Sequence, residues 1–117
     1  MAARTEAEQK ELVRIWDAQE RELAELFSNV KDSEDLFNYL EENVLEMKRE
    51  QHLSDKKWVT SFYTFVTGTG GPHVEFNTNH IIAVYWAGGV QEYMTYDERA
   101  IKIIDMLADT FDEIYPQ

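Results

Sequence analysis

The sequence contains no cysteine, which excludes disulfide bridges, thiolate catalysis and zinc sites built on cysteine sulfur. It also lacks any apolar run near the roughly 20 residues that a membrane-spanning helix needs. The segment over residues 1–11 is charged and has no apolar core of the kind found in secretory signals. From these absences we expect a cytoplasmic protein that makes no membrane contact.

Basic residues are scarce as well, with 11 bases against 23 acids and a net charge of −12. Residues 1–53 hold 14 acids and 7 bases, residues 54–90 hold 2 of each, and residues 91–117 hold 7 and 2. Nucleic-acid phosphates and anionic membranes repel such a chain. We therefore expect no direct nucleic-acid binding and instead a protein partner with a basic surface. Acidic helix faces that only keep the protein soluble are the alternative explanation.

The remaining composition is that of one globular domain over residues 1–117, since 44% of the residues are hydrophobic. From Thr5 to about Val30 the apolar residues recur at helical spacing, and Gln19 is the one polar interruption of that stripe. The opposite face is crowded with glutamates. The pattern predicts a long amphipathic helix at the start of the chain.

A second helix is predicted directly after the first. Apolar residues recur at helical spacing over residues 36–47, and Asp32 followed by Asp35 suggests a carboxylate cap at the start. Lys48 and Arg49 fall near the predicted last turn, where the helix dipole favours positive charge. The short connection predicts that the two helices form an antiparallel hairpin.

Four strands with short connections follow the helices. Residues 57–67 are rich in β-branched and aromatic side chains, and three further strand-like segments cover residues 72–77, 80–87 and 90–96. The predicted turns lie at residues 67–71, 78–79 and 88–89, where glycine, threonine and asparagine cluster. This pattern predicts a four-stranded antiparallel meander.

The last predicted element is a C-terminal helix. Thr95 and Glu98 have the spacing of a capping box, and an apolar stripe continues from Ala100 to Ile114. The order is α-α-β-β-β-β-α. We expect an α+β fold with the helices on one face of the sheet.

The glycine-rich stretch VTGTGGPHVEFNTNH over residues 66–80 does not have the spacing of a phosphate-binding loop, because no helix and no lysine follow it. Gly68, Gly70 and Gly71 are predicted to supply positive φ angles at a hairpin tip. His73, Glu75 and His80 share one face if the turn is Thr78–Asn79. The two histidines would then lie roughly 13 Å apart, too far for one zinc ion.

We therefore expect no metal site, no cofactor and no catalytic residue. The serines have no nucleophile-elbow context, and the carboxylates lie on solvated helix faces where nothing raises a pKa for acid catalysis. A small enzyme or metal protein that uses His73, Glu75 and His80 is the least favoured alternative. The leading interpretation is a protein that is not an enzyme.

The same predicted pairing sorts the sheet into two faces. Val74 and Phe76 share the face that the helices should cover, whereas the second face is half apolar and would be an uncovered interface. The residues of that predicted interface are Ile82, Val84, Trp86 and Tyr93. They could join two copies into a homodimer. Alternatively, one helix covers this second face and buries its aromatic rings.

The second candidate surface is acidic. Its residues lie on the polar faces of the predicted first and last helices: Glu8, Glu11, Glu22, Glu25, Asp105, Asp109, Asp112 and Glu113. If the chain ends pack together as helices on one side of the sheet, these carboxylates could enter a basic groove of a partner. The attraction would be sensitive to salt.

The stretch SFYTFVTGTGGPHVEFN, followed by IIAVYWAGG, resembles small phage and plasmid proteins with an aliphatic strand, a G-G-P turn and further strands. The resemblance covers about residues 57–96. In those proteins a tryptophan-rich segment of the form DW…PW follows the third strand, and YWAGG stands in its place here. The resemblance implies a mobile-element origin and carries over no catalytic residue.

Mobile elements encode small acidic proteins that inhibit host defence nucleases, as DNA mimics or as surface blockers. The anti-CRISPR and anti-restriction proteins are such groups. Our leading hypothesis is an inhibitor of this type that acts through the acidic helices. The alternative is a homo-oligomeric structural or accessory module that uses the sheet face around Trp86 and Tyr93.

Overall fold

In the computed structural model, residues 5–116 are described, and they form an α+β fold of three helices and a five-stranded antiparallel sheet. The helices are α1 (Glu6–Asn29), α2 (Ser33–Asn43) and α3 (Glu98–Ile114). The strands are β1 (Glu46–Ser54), β2 (Lys57–Gly68), β3 (His73–Asn77), β4 (Ile81–Trp86) and β5 (Gly89–Met94). Neighbouring strands follow each other in sequence, so the sheet is a meander. The predicted α+β class is confirmed, but the sheet has one strand more than predicted.

The additional strand replaces the end of the predicted second helix. Helix α2 ends at Asn43, and the backbone N–H of Leu45 donates to the carbonyl of Val66 at 2.8 Å. From there β1 pairs with β2, and Met47 lies opposite Phe65. The prediction that Lys48 and Arg49 lie in a last helical turn is therefore wrong, because the long β2 strand offers this segment a full ladder of hydrogen bonds.

The turn between β1 and β2 explains how β1 forms a strand although most of its residues are exposed. Asp55 and Lys56 have φ angles of 51° and 67°, and Ser54 pairs with Lys57. Two-residue turns with positive φ match the right-handed twist of antiparallel strands. Neither residue is a glycine, so the sequence gives only a weak signal for this hairpin.

The helix starts are capped by short polar side chains. Asp32 caps α2 by accepting a hydrogen bond from the backbone N–H of Asp35 at 3.0 Å, as predicted. The cap of α3 is Asp97, which accepts from two backbone N–H groups, so the predicted capping box at Thr95 is wrong. Thr95 is buried and donates its hydroxyl to Glu20 of α1 at 2.6 Å.

The core lies between one face of the sheet and the helices. The rings of Phe65 and Phe76 stack with their centroids 5.1 Å apart, and Phe111 of α3 contacts Phe65 at 5.7 Å. On the other side of this core, the indole N–H of Trp16 donates to the backbone carbonyl of Ile82 at 2.7 Å. Helix α1 is thus fixed over β4, and α3 lies over β2.

The β3–β4 turn is one residue longer than predicted. It comprises residues 78–80, with His80 in the left-handed region at φ 66°, so that Phe76 pairs with Ile82. The predicted two-residue turn at Thr78–Asn79 would instead pair Glu75 with Ile82. Because side chains alternate along a strand, a slip of one residue moves every side chain of β4 to the other face relative to β3.

Glycine positions differ from the prediction in the same region. Among Gly68, Gly70 and Gly71, only Gly70 has a positive φ, at 86°. The β4–β5 turn is formed by Ala87 and Gly88, with φ angles of 53° and 73°, and the predicted turn was one residue further along. Because the first residue of this turn is an alanine and not a glycine, the sequence does not indicate that the turn begins there.

The observed register buries the larger apolar side chains. Ile82 and Val84 are completely buried beside Phe76, whereas Tyr85 on the opposite face is exposed. The predicted register would have turned Ile82 and Val84 to solvent, at a cost of about 1.5–3 kcal/mol for each. Burial of apolar surface therefore decides the length of the turn. Within the described residues, no helix is both long enough and apolar enough to cross a membrane.

Substitution of Trp16 tests the attachment of α1 to the sheet. We expect Trp16→Phe to lower the free energy of unfolding by about 1–3 kcal/mol, because it removes a buried hydrogen bond and leaves a cavity. Urea unfolding followed by circular dichroism measures this change. Trp58→Phe is the matched control, since Trp58 is 65% exposed, and its effect should stay within about 0.5 kcal/mol. Equal effects of the two substitutions would contradict the assignment.

Candidate functional site

The predicted interface on the sheet is largely absent from the surface. Ile82 and Val84 are completely buried under α1, and Trp86 is partly buried against the same core. Only Tyr93 is well exposed, at 61%. The expectation that these four residues form an uncovered face is wrong, because the register places this side of the sheet under the helices.

The opposite sheet face carries a polar layer above a small apolar patch. His73 and Glu75 are hydrogen-bonded at 2.9 Å, the ring of Tyr85 contacts His73 edge-on, and the Tyr85 hydroxyl donates to Glu92 at 3.2 Å. Burial, and then the charges of Glu92 and Glu75, raise the pKa of Tyr85. Val66 pairs with Glu75, lies on the same face of the sheet and is completely buried.

The predicted grouping of His73, Glu75 and His80 does not occur. His80 lies in the β3–β4 turn and is hydrogen-bonded to Asp105 of α3 at 2.7 Å. Over residues 5–116, no three histidine, aspartate or glutamate side chains come close enough together to hold a metal ion.

The predicted acidic residues form two separate groups. We call Glu8, Glu11, Glu22 and Glu25 the acidic flank of α1, because they fall within an arc of about 100° on that helix. We call Asp105, Asp109, Asp112 and Glu113 the acidic row of α3, which covers a similar arc.

The two groups do not merge into one surface. Glu20 and Ser28, on the other flank of α1, contact Thr95 and Arg99 at the start of α3. Helix α3 therefore lies on the side of α1 that is turned away from its acidic flank. The sequence identifies the acidic residues, but it did not reveal that they form two separate groups on the folded protein.

Several of these carboxylates already have partners. Glu8 closes the capping box of α1, and Glu11 is paired with Arg14, whose hydrogen bond lowers the pKa of Glu11. In the acidic row of α3, Asp105 is bound to His80, and Asp112 accepts a hydrogen bond from the Tyr63 hydroxyl at 2.9 Å. Asp105 and Asp112 thus also join α3 to the β3–β4 turn and to β2.

The fold sorts charge by layer. The segments that contain the helices, residues 5–43 and 97–116, hold 18 acids and 6 bases. Residues 44–96, which contain the sheet, hold 5 acids and 4 bases. Because α1 and α3 lie on the same side of the sheet, one side of the protein is strongly negative and the sheet layer is nearly neutral.

An open groove of 460 Å³ borders the acidic flank of α1. We call it the α1–α2 groove. Its lining comes from both of these helices and from β2 and β3: Ile15, Ala18, Gln19, Glu22, Asn43, Thr67 and Val74. Three of these side chains are apolar, one is a carboxylate, and none is basic.

A chain of hydrogen bonds crosses this groove. The hydroxyl of Thr67 donates to Gln19 Oε1 at 2.6 Å, and Gln19 Nε2 donates to Glu22 Oε2 at 3.1 Å. Gln19 is only 5% exposed. The polar interruption that the sequence shows in the first apolar stripe is therefore a buried amide that orients the carboxylate of Glu22.

Two ionisable groups at or behind the groove are perturbed. Burial, with a smaller contribution from the charge of Glu25, raises the pKa of Glu22, and the hydrogen bond from Gln19 offsets part of this effect. Burial and the charge of Glu22 raise the pKa of Tyr39 of α2, and the nearby Gln19 amide offsets part of this effect. The Tyr39 hydroxyl is buried and does not line the groove. Sequence reasoning missed Tyr39, Asn43 and Thr67, since only the packed elements bring them together.

Comparison of the chain with protein-family models, with curated proteins and with solved structures finds no match in any of the three. The function must therefore be argued from the charges and the groove.

Neutralising Glu22 tests the perturbed carboxylate. A raised pKa in the folded state means that the associated stability is complete below the unfolded pKa, near 4.5, and is lost as the pH rises through the folded pKa. We therefore expect Glu22→Gln to raise the melting temperature at pH 7 relative to wild type, with a smaller difference at pH 4. Thermal unfolding followed by circular dichroism measures both values.

Asp17→Asn is the control for that measurement. Asp17 is exposed on the same helix, so its removal changes the net charge equally without touching the groove. A Glu22→Gln variant that gains no stability between pH 4 and pH 7 relative to Asp17→Asn would show that burial does not destabilise the Glu22 carboxylate.

Proposed function

We propose that this protein is a non-enzymatic binding protein of the defence-inhibitor type, which acts in the cytoplasm on a nucleic-acid-handling protein of the host. The observation that carries the proposal is the concentration of acidic charge in the helical layer. A surface of this kind attracts basic surfaces and speeds their encounter. Nucleic-acid channels of anti-CRISPR and anti-restriction targets are basic surfaces of this sort.

The acidic flank of α1 is the stronger candidate for the contact. It borders an open groove, and Glu25 is exposed beside it. In the acidic row of α3, by contrast, Asp105 and Asp112 are already held by His80 and Tyr63. We therefore assign the main contact to α1 and a supporting role to α3. The proposal requires no cofactor and assigns no catalytic residue.

A homo-oligomeric module was the alternative. Its predicted surface depended on Ile82, Val84 and Trp86, and these residues now lie in or against the core. Self-association remains a prediction that light scattering can test.

The test is capture of partners from a bacterial host lysate on the immobilised protein. We expect basic nucleic-acid-binding proteins to be retained at low salt. About 1 M salt should release them, because the screening length then falls to about 3 Å. Duplex DNA or RNA added in excess should also release them, since it competes for the same channel.

Two variants with equal charge changes locate the contact. The first carries Glu→Gln at all four positions of the acidic flank of α1 and should lose capture. The second carries Glu→Gln at four glutamates in the sheet layer, Glu46, Glu50, Glu75 and Glu92, and should retain it. Equal loss of capture by both variants would show that capture depends on net charge and not on the acidic flank of α1. Retained proteins without basic surfaces, or retention that nucleic acid does not affect, would overturn the proposal.

A further inference from the structure

The α1–α2 groove offers hydrogen-bond acceptors in a fixed arrangement. Thr67 donates to the carbonyl oxygen of Gln19, which turns the amide nitrogen of Gln19 toward Glu22 Oε2. Because an amide oxygen can only accept, a flip of this side chain would replace its hydrogen bond to the Glu22 carboxylate with an unfavourable contact between two acceptor oxygens. The carboxylate of Glu22 is thereby held in place, and its Oε1 remains available to a donor in the groove.

One further oxygen atom belongs to the same site. Asn43 donates its side-chain nitrogen to the backbone carbonyl of Tyr39 at 3.1 Å, which leaves its Oδ1 as an acceptor at the groove.

The walls of the groove are apolar. Ile15 and Ala18 of α1 and Val74 of β3 line it, and no basic residue does. The groove volume of 460 Å³ is within the range of sites that bind small molecules. An anion would meet an uncompensated carboxylate here, whereas a cation with an aliphatic stem would find both an acceptor and an apolar wall.

We propose that the α1–α2 groove receives an arginine side chain from the basic surface of the partner, with Glu22 and Asn43 as the acceptors of the guanidinium group. This inference rests on the proposed function and specifies its central contact. Guanidinium is preferred to ammonium because its five N–H donors are spread over a plane and can reach several acceptors at once. The methylene groups of the arginine lie along Ile15 and Val74.

The experiment uses N-acetyl-arginine amide as the probe and N-acetyl-lysine amide as its comparison. Both are titrated into the isotope-labelled protein, and ¹H–¹⁵N chemical shifts are followed. We expect the arginine probe to shift the signals of residues in the groove and to bind about tenfold more tightly than the lysine probe. Equal binding of the two probes, or shifts spread over all acidic surfaces, would overturn the proposal.

Variants assign the contacts. Glu22→Gln should weaken binding of the arginine probe about tenfold, and Asn43→Ala by a factor of about three to ten. Tyr39→Phe changes a buried hydroxyl outside the lining of the groove, so it should bind the probe as wild type does. Asp17→Asn, with the same charge change on the same helix as Glu22→Gln, should bind as wild type does. Wild-type affinity in both groove variants would contradict the assignment.

The outcomes separate this inference from the proposed function. If the α1 fourfold variant loses lysate capture while Glu22→Gln and Asn43→Ala bind the arginine probe normally, the function stands and the groove assignment fails. If the groove binds the arginine probe but no basic protein is captured, the site stands as a guanidinium site and the proposed function fails.

Discussion

The position of α1 across the sheet is the constraint on which the rest of the fold depends. Trp16 is largely buried, and its bond to the Ile82 carbonyl at 2.7 Å fixes the helix over the centre of β4. With α1 held there, α3 fills the remaining area over β2 through Phe111, and its cap region contacts α1 through Arg99 and Ser28. Both helices turn their charged faces away from the sheet, which is how one side of the molecule becomes strongly acidic.

The groove is a product of the same arrangement. Gln19 lies on the apolar stripe of α1, where an amide without partners would destabilise the core. Thr67 of β2 satisfies it on one side and Glu22 on the other, so a carboxylate is drawn into a partly buried position. The fold thus tolerates a charge that is unfavourable in the isolated protein. In the arginine site that we propose, the bound cation would compensate this charge.

Much of the fold follows from sequence periodicity, and the errors share one cause. The first and last helices and the strand over residues 57–67 were predicted because their patterns extend over many residues. The end of α2, the β3–β4 turn and the β4–β5 turn each depend on the conformation of one or two residues, such as His80 and Ala87 at positive φ. The burial of Ile82 and Val84 decides the two turns, and pairing with β2 decides the end of α2. For the site, counting charges found the acidic residues, and the interrupted apolar stripe of α1 indicated Gln19. No sequence pattern distinguished Tyr39 from an ordinary helical residue.

The long separation in sequence between α1 and its partners constrains how the chain is made. Trp16 bonds to a residue 66 positions later, Glu20 to one 75 positions later, and Gln9 to one 82 positions later. During synthesis the first helix therefore leaves the ribosome with its apolar stripe unpaired, and it cannot be buried until β4 and β5 have emerged. Folding of the core must follow translation of most of the chain. Until then, the closely spaced carboxylates of α1 keep this segment in solution.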